Sequence, residues 1–154
     1  MHLKDGTLKD RIGEDMKAAM RARAADRLSA IRMLLAAIRQ KEIDERITVD
    51  DAQVVAIVDR LIRQRRDSVE QFEKAARQDL ADREKFEIDV LSAYLPQQAS
   101  ADEVAAEIDA AIASVGAAGP QAMGKVMGVL KQRLAGRTDL AAVSAQVKAR
   151  LAGA

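Results

Sequence analysis

The sequence predicts an all-α fold. Hydrophobic residues make up 49% of the chain but aromatic residues only 2%, so the apolar content is mainly Ala, Leu, Ile and Val. Only 2 of the 154 residues are proline, and apolar side chains recur at steps of three and four, the period of an amphipathic helix. We therefore predict an N-terminal helical bundle of about four helices, joined to a small C-terminal domain of about three helices.

The first two helices of the bundle each have a start signal and an apolar stripe. Thr7 and Asp10 form a capping box, from which the first helix is expected to run to about Ala24. The second helix is expected to begin near Asp26. Its Arg32 lies among apolar positions, where it either pairs with a carboxylate of another helix or extends its charged end to solvent. The two stripes are Leu8, Ile12, Met16 and Met20, then Leu28, Ile31, Leu34, Leu35 and Ile38.

The third helix is predicted to be long and to carry arginines opposite its apolar stripe. Thr48 and Asp51 give the capping signal before it. The arginines are followed by acidic residues, which favours a solvated face with ion pairs one turn apart. Clustered arginines are also a candidate polyanion contact, and the sequence leaves their role open. The stripe is Val54, Val58, Leu61, Ile62, Val69 and Phe72; the arginines are Arg60, Arg63, Arg65 and Arg66, before Asp67, Glu70 and Glu73.

The fourth helix is expected over residues 79–95. Glu84 and Glu87 lie one turn apart on it, a spacing that can ligate a metal ion, but no histidine lies nearby to complete such a site. We therefore interpret these carboxylates as partners in ordinary salt bridges. The inward-facing residues are Leu80, Ile88, Leu91 and Leu95.

A break in the helical pattern predicts a domain boundary. Pro96 cannot continue the fourth helix, and Ser100 with Glu103 then forms a full capping box. We place the boundary here, between an N-terminal bundle of residues 1–96 and a C-terminal domain of residues 97–154.

The C-terminal domain is predicted to hold the fifth, sixth and seventh helices. The fifth helix is expected to end at Gly116, and the seventh to begin at Asp139. The sixth begins at Gly119-Pro120, with proline at the first helical position, and closes before Gly136. The apolar stripes, in chain order, are Val104, Ile108, Ile112 and Val115; Met123, Val126, Met127, Leu130 and Leu134; and Leu140, Val143, Val147 and Leu151.

The sixth helix is the candidate binding element. Gly124 and Gly128 lie one turn apart on it, between Lys125 and Lys131 and away from the apolar stripe. Each glycine costs about 1 kcal/mol relative to alanine, but the pair leaves bare backbone that a large surface can approach closely. Alternatively, these glycines admit the fifth or seventh helix of the same domain.

Local charge points to the same region. The net charge is only +1, but residues 101–115 carry acidic side chains and no base, whereas residues 119–154 are basic with a single acid, Asp139. A polyanion is attracted by the local excess of positive charge, whatever the net charge of the chain. The basic residues are Lys125, Lys131, Arg133, Arg137, Lys148 and Arg150.

The sequence lacks the residues of the common catalytic sites. Its single histidine is His2, at the terminus, so no Ser–His–Asp triad can form on a core element. Residues 119–125 match the start of a phosphate-binding P-loop, but Val126 stands where Ser or Thr must hold magnesium, and no strand precedes the match. We predict no catalytic residue, no metal site and no cofactor in this chain.

The composition also predicts the compartment. The chain has no long apolar run that would span a membrane, and its N-terminus is too polar for a signal peptide. It contains 0 cysteines, so it has neither disulfides nor thiolate metal ligands. These observations predict a cytoplasmic protein without a membrane partner.

Several segments together resemble the YqeY (GatB/YqeY) family, in the same order and over nearly the whole chain. Each segment is weak alone, but the ordered set is specific. The segments are Arg27-Leu28, Ile31-Arg32, Ala36-Ala37-Ile38, Arg63-Gln64-Arg65-Arg66-Asp67-Ser68-Val69-Glu70-Gln71-Phe72, Asp79-Leu80-Ala81, Glu84, Glu87, Tyr94-Leu95-Pro96, Met123-Gly124-Lys125-Val126-Met127 and Gly136-Arg137-Thr138-Asp139.

The resemblance implies engagement of tRNA. The family is similar to the tail region of the GatB component of the glutamine-dependent aspartyl/glutamyl-tRNA amidotransferase, and is associated with carbon–nitrogen ligase activity that uses glutamine as amido donor. It implies tRNA as partner, with amidotransferase or aminoacyl-tRNA synthetase components as further partners. The alternative is a protein–protein interaction adaptor without RNA binding. The expected nucleic-acid-binding residues are Gly124, Lys125, Gly128, Lys131, Arg133, Arg137, Lys148 and Arg150.

Overall fold

The computed structural model describes residues 6–116 and 119–153, so His2 lies outside the described residues. Within these ranges the chain forms seven α-helices and no β-strand, which confirms the all-α class. A short 3₁₀ helix, Pro120–Ala122, leads directly into the sixth α-helix. The α-helices are α1 (Leu8–Arg21), α2 (Ala25–Glu45), α3 (Asp51–Lys74), α4 (Gln78–Ser92), α5 (Ala101–Val115), α6 (Met123–Leu134) and α7 (Leu140–Ala152).

The helices form two compact units, residues 1–95 and residues 96–154. The N-terminal unit contains α1 to α4, and the C-terminal unit contains α5 to α7. The division lies next to Pro96. That the two units are separate, independently folding domains remains a prediction.

The N-terminal unit buries the inward faces of its helices in one apolar core. Most of the predicted stripe positions are buried or half-buried in it. Met20 is an error of the prediction: it is 48% exposed, and the last turn of α1 buries Ala19 instead. The buried core residues are Ile12, Ala19, Ala30, Ile31, Leu34, Ile38, Val49, Val54, Ile57, Val58, Leu61, Ile62, Val90, Leu91 and Tyr94.

The start of α3 differs from the prediction. The Thr48–Asp51 capping signal is wrong, because Asp50 is the capping residue. Its carboxylate accepts a hydrogen bond from the Gln53 backbone N–H at 2.8 Å, and the Gln53 side chain accepts one from the Asp50 backbone N–H at 2.9 Å. Asp50 and Gln53 thus form the reciprocal capping box of α3.

Two helices end earlier than expected. The first ends at Arg21 rather than near Ala24, because Arg23 adopts a left-handed conformation with φ 55°. The fourth ends at Ser92 rather than at Leu95. Pro96 disfavours helical conformation before it, and the chain closes in tight turns there instead.

Tyr94 anchors the last turn before Pro96 to α1. Its ring is 2% exposed, and its hydroxyl donates a hydrogen bond to the Asp15 carboxylate at 2.6 Å. The Arg11 guanidinium lies over the ring, 5.2 Å from its centroid. Burial and the neighbouring Asp15 raise the pKa of Tyr94 well above its ordinary value, so the phenol stays protonated.

The C-terminal unit is a three-helix group around its own core. The Ser100 capping box is confirmed, since the Ser100 hydroxyl accepts a hydrogen bond from the Glu103 backbone N–H at 3.1 Å. Gly136 follows α6 with φ 71°, a conformation that favours glycine, and Asp139 caps α7. The buried residues are Val104, Ile108, Ala111, Ala122, Val126, Leu130, Leu134, Val143, Val147 and Leu151.

Candidate nucleic-acid interface

The two glycines of α6 face outward and nothing in the described chain covers them. Val126, Leu130 and Leu134 bury the opposite face of the helix. A methyl group built on Gly124 or Gly128 meets no atom within 4 Å beyond the helix itself. The alternative in which these glycines admit α5 or α7 is therefore wrong.

Lysines border this glycine strip on both sides. At about 100° per residue, Lys131 lies on one side of Gly124 and Gly128, and Lys125 lies on the other. Both lysine side chains are exposed, and neither has an ion-pair partner among the residues the structure describes. Since α6 contains no acidic residue, its outward face presents positive charge beside accessible backbone.

The arginines of the predicted set are engaged by acidic residues of α5. Arg133 Nη1 lies 3.4 Å from Glu107 Oε1, and Arg150 pairs with Asp109. Arg137 Nη2 lies 3.2 Å from Glu103 Oε2. The acidic α5 and the basic segments after it, which the sequence shows as a charge polarity, thus neutralise one another in part.

Arg137 has a second, structural role. Its Nε donates a hydrogen bond to the Gln97 backbone carbonyl at 3.1 Å, and its own carbonyl accepts one from the Ala99 backbone N–H at 2.8 Å. The Gln98 amide also donates to the Gly136 carbonyl at 2.7 Å. These hydrogen bonds join the segment after Pro96 to the connection between α6 and α7. Arg137 therefore stabilises the fold of the C-terminal unit.

Lys148 stands apart from the strip. It lies on α7, is exposed, and has no ion-pair partner within residues 6–116 and 119–153. The unpaired cations of the predicted set are therefore Lys125, Lys131 and Lys148, of which the first two border the glycines of α6.

In the N-terminal unit the structure buries an arginine that the sequence placed on the solvated face. Arg65 is 8% exposed, and its Nε donates to Glu87 Oε2 at 2.9 Å. Its guanidinium also donates to the Leu61 carbonyl at 3.1 Å and contacts the Met33 sulfur. The signal was available in the sequence, because position 65 lies one turn after the buried Leu61 and so on the apolar stripe.

Of the two predicted salt-bridge partners on α4, Glu87 forms an ion pair and Glu84 has none among the described residues. Glu87 pairs with Arg65, and Glu84 lies nearby. Burial, then the charge of Glu87, raises the pKa of Glu84 above its usual range. Arg32 points to solvent and has no ion-pair partner among the described residues. Within those residues, no group of three or more His, Cys, Asp or Glu side chains is placed to hold a metal ion.

Among residues 6–116 and 119–153, no helix is both long and apolar enough to cross a membrane.

Comparison with known proteins identifies relatives over most of the chain. Residues 9–151 match the family model described as Yqey-like protein. Altered inheritance of mitochondria protein 41, mitochondrial, of Lachancea thermotolerans is 41% identical over 103 residues, covering 66% of this chain and 54% of the relative. The protein of the same name from Eremothecium gossypii is 40% identical over 100 residues, covering 63% and 55%. The chain spans about half the length of the curated relatives it matches.

Proposed function

Because the chain belongs to the Yqey-like protein family, we propose that it is a tRNA-binding accessory module without catalysis of its own, and that it meets RNA through the outward face of α6. The resemblance to the tail region of the tRNA amidotransferase suggests tRNA as the ligand. The observation that carries the proposal is the pair of uncovered glycines, Gly124 and Gly128, bordered by the unpaired lysines Lys125 and Lys131.

This face has the chemistry that a folded RNA surface requires. Proteins recognise RNA helices mainly by shape, through the phosphates and the 2′-hydroxyl groups. Lysine ammonium groups supply the phosphate contacts, and the missing side chains of Gly124 and Gly128 let the backbone of α6 come close to a broad surface.

The cations of the predicted set are expected to contribute unequally. Lys125 and Lys131 offer their full charge to RNA, and Lys148 assists from α7. Arg133 and Arg150 must exchange an existing carboxylate partner for a phosphate, so their contribution is smaller. Replacing Arg137 would disturb the fold of the unit as well as the charge, so its substitution tests binding poorly.

The test is tRNA binding measured by fluorescence anisotropy over a series of salt concentrations. For Lys125→Glu/Lys131→Glu we expect weaker binding and a salt slope lower by about one unit per lost phosphate contact. Lys17→Glu is the matched control, because Lys17 is an exposed lysine of α1 whose one ion-pair partner among the described residues is an exposed glutamate one turn away. A folded Lys125→Glu/Lys131→Glu/Arg133→Glu protein with wild-type affinity and salt slope would refute the proposal.

The alternative is an adaptor that uses the same glycine strip to receive a helix of another protein. Small residues one turn apart allow two helices to approach closely, whatever their environment. The adaptor predicts that Gly124→Leu abolishes capture of a protein partner while tRNA fails to bind the wild-type chain at low salt. Binding of tRNA that depends on Lys125 decides for the RNA module.

The association of the family with glutamine-dependent amidotransferase suggests an accessory role for this chain. We propose that the chain supports glutamine-dependent amidation of aminoacyl-tRNA, together with amidotransferase or synthetase components, and does not itself release ammonia. Purified protein incubated with glutamine and aminoacyl-tRNA should form neither ammonia nor amidated product. Ammonia release that a point substitution in this chain abolishes would show an active site here.

We propose a cytoplasmic location for this role. The alternative is mitochondrial, because the relatives carry that word in their names. Fractionation of the source cells, with detection of the native protein, separates the two.

A further inference from the structure

Two grooves of opposite charge lie along α2, in the N-terminal unit. The first, here the basic groove, lies between α1 and the C-terminal half of α2, and is bordered by Arg32 and Arg39. The second, here the acidic groove, lies between the N-terminal end of α2 and α4, and is bordered by Asp26 and Asp82. The two grooves therefore occupy opposite ends of one helix and are walled by different neighbours.

The charges of both grooves are available to a partner. Arg32, Arg39, Asp26 and Asp82 are exposed, and none has an ion-pair partner among the described residues. Other charged residues of the grooves are already engaged within the unit: Lys9 pairs with Glu42, Asp79 with Arg77, and Glu87 with Arg65. Arg83 also lines the acidic groove and offsets part of its negative charge.

Each groove also carries an exposed large hydrophobic side chain. Within the described residues these exposed side chains are Met20, Ile43 and Phe86. Ile43, 62% exposed, lines the basic groove, and Phe86, 42% exposed, lines the acidic groove. Single exposed hydrophobics are ordinary on protein surfaces, but here Ile43 shares its groove with Arg32 and Arg39, and Phe86 shares its groove with Asp26 and Asp82.

We propose that the exposed face of α2 is a self-association surface, and that its occupant is a second copy of this chain. A two-fold axis that lies in the interface, midway between the two grooves and perpendicular to the line that joins them, exchanges the basic and the acidic groove. It places the acidic groove of each copy on the basic groove of the other, so the same charge complementarity forms twice, as a closed two-fold dimer requires. Ser29 and Ala36 lie on the exposed side of α2 and are small enough to let the two helices approach.

The helix is long enough for such an interface. With 21 residues α2 extends over roughly 30 Å. Its exposed face, with the flanking walls from α1 and α4, presents charge at both ends and small side chains between them. Because the attraction is between exposed charges, the association weakens as salt rises.

The experiment is sedimentation equilibrium of the full chain at micromolar to submillimolar concentration, in low and moderate salt. The wild-type chain is expected to form a dimer that salt weakens. Arg32→Glu/Arg39→Glu makes both groove pairs repulsive, as does Asp26→Lys/Asp82→Lys, and each double variant should raise the dimer dissociation constant by about tenfold or more. Arg60→Glu, an exposed arginine of α3 outside both grooves, is the matched control and should leave it unchanged.

An equimolar mixture of the two double variants gives the decisive result. In the mixed dimer each groove again meets a groove of opposite charge, so the mixture should associate more tightly than either variant alone. Circular dichroism of each variant verifies that the helices are intact. A wild-type chain that stays monomeric at all concentrations, assembly that grows beyond dimers, or a mixture that fails to recover association would overturn the proposal.

Discussion

Arg65 in the N-terminal unit and the two lysines of α6 in the C-terminal unit serve opposite purposes. In the N-terminal unit Arg65 is buried and bonded to Glu87 and to the Leu61 carbonyl, so its charge serves the fold. In the C-terminal unit Lys125 and Lys131 are exposed and have no partner within the described residues, so their charges are available to a ligand. The position of a cation relative to the apolar stripe of its helix therefore indicates its role better than the local charge does.

The largest expected effect is at the buried pair. Removing one partner of a buried ion pair leaves the other charge unpaired, so Arg65→Ala should lower the free energy of unfolding by about 3 kcal/mol. Arg63 pairs with Asp59 one turn away, and 60% of its side chain is exposed. Arg63→Ala should therefore change the free energy of unfolding by less than about 0.5 kcal/mol. Urea unfolding of both variants measures the difference. Equal effects would show that burial does not separate these neighbouring arginines.

The next effect concerns Tyr94, which links the end of the N-terminal unit to α1. Tyr94→Phe removes a hydrogen bond to a carboxylate. It should lower the free energy of unfolding, measured with urea, by about 1.5 kcal/mol. An unchanged free energy of unfolding would mean that Tyr94 stabilises the unit only through the packing of its ring and that its hydroxyl group contributes nothing.

The same residue predicts a pH dependence. The folded state raises the pKa of the Tyr94 phenol above the value of about 10 found in the unfolded chain. The stability it contributes is therefore complete below pH ~10 and is lost as the pH rises above it, because the unfolded phenol then ionises and the folded one does not. The chain has 1 tyrosine and 0 tryptophans, so tyrosinate absorbance follows this residue alone. Ionisation of the native protein at an ordinary pKa would contradict the burial of Tyr94.

A smaller effect tests whether the two units are separate domains. Ser100→Ala removes the cap of α5 and should destabilise the C-terminal unit by about 1 kcal/mol. In hydrogen exchange, protection should fall in residues 101–152 and stay unchanged in residues 8–92. Limited proteolysis near residues 97–101 should likewise release two folded fragments. An equal loss of protection in both ranges would show a single cooperative domain.

Helix order, stripes and most start signals could be predicted from the sequence, because caps and periodicity act within a few residues of one another. The cap at Asp50 was missed since Thr48 offered a similar signal two residues earlier. The partners of Arg65 and Arg133 could not be predicted, because Glu87 and Glu107 are brought to them by helix packing. The open space around Gly124 likewise depends on where α5 and α7 lie, which local pattern does not encode.

The most direct measurement of the central claim compares Gly124→Leu with Gly13→Leu, each by melting temperature and by tRNA affinity. Both glycines lie in helices with open space where a side chain would begin, so both variants should gain stability, by up to about 1 kcal/mol. We predict that only Gly124→Leu loses affinity for tRNA, with little change in salt slope, because the leucine keeps the backbone of α6 away from the RNA. A stable Gly124→Leu protein that binds tRNA as the wild type does would contradict the claim that this face of α6 meets RNA.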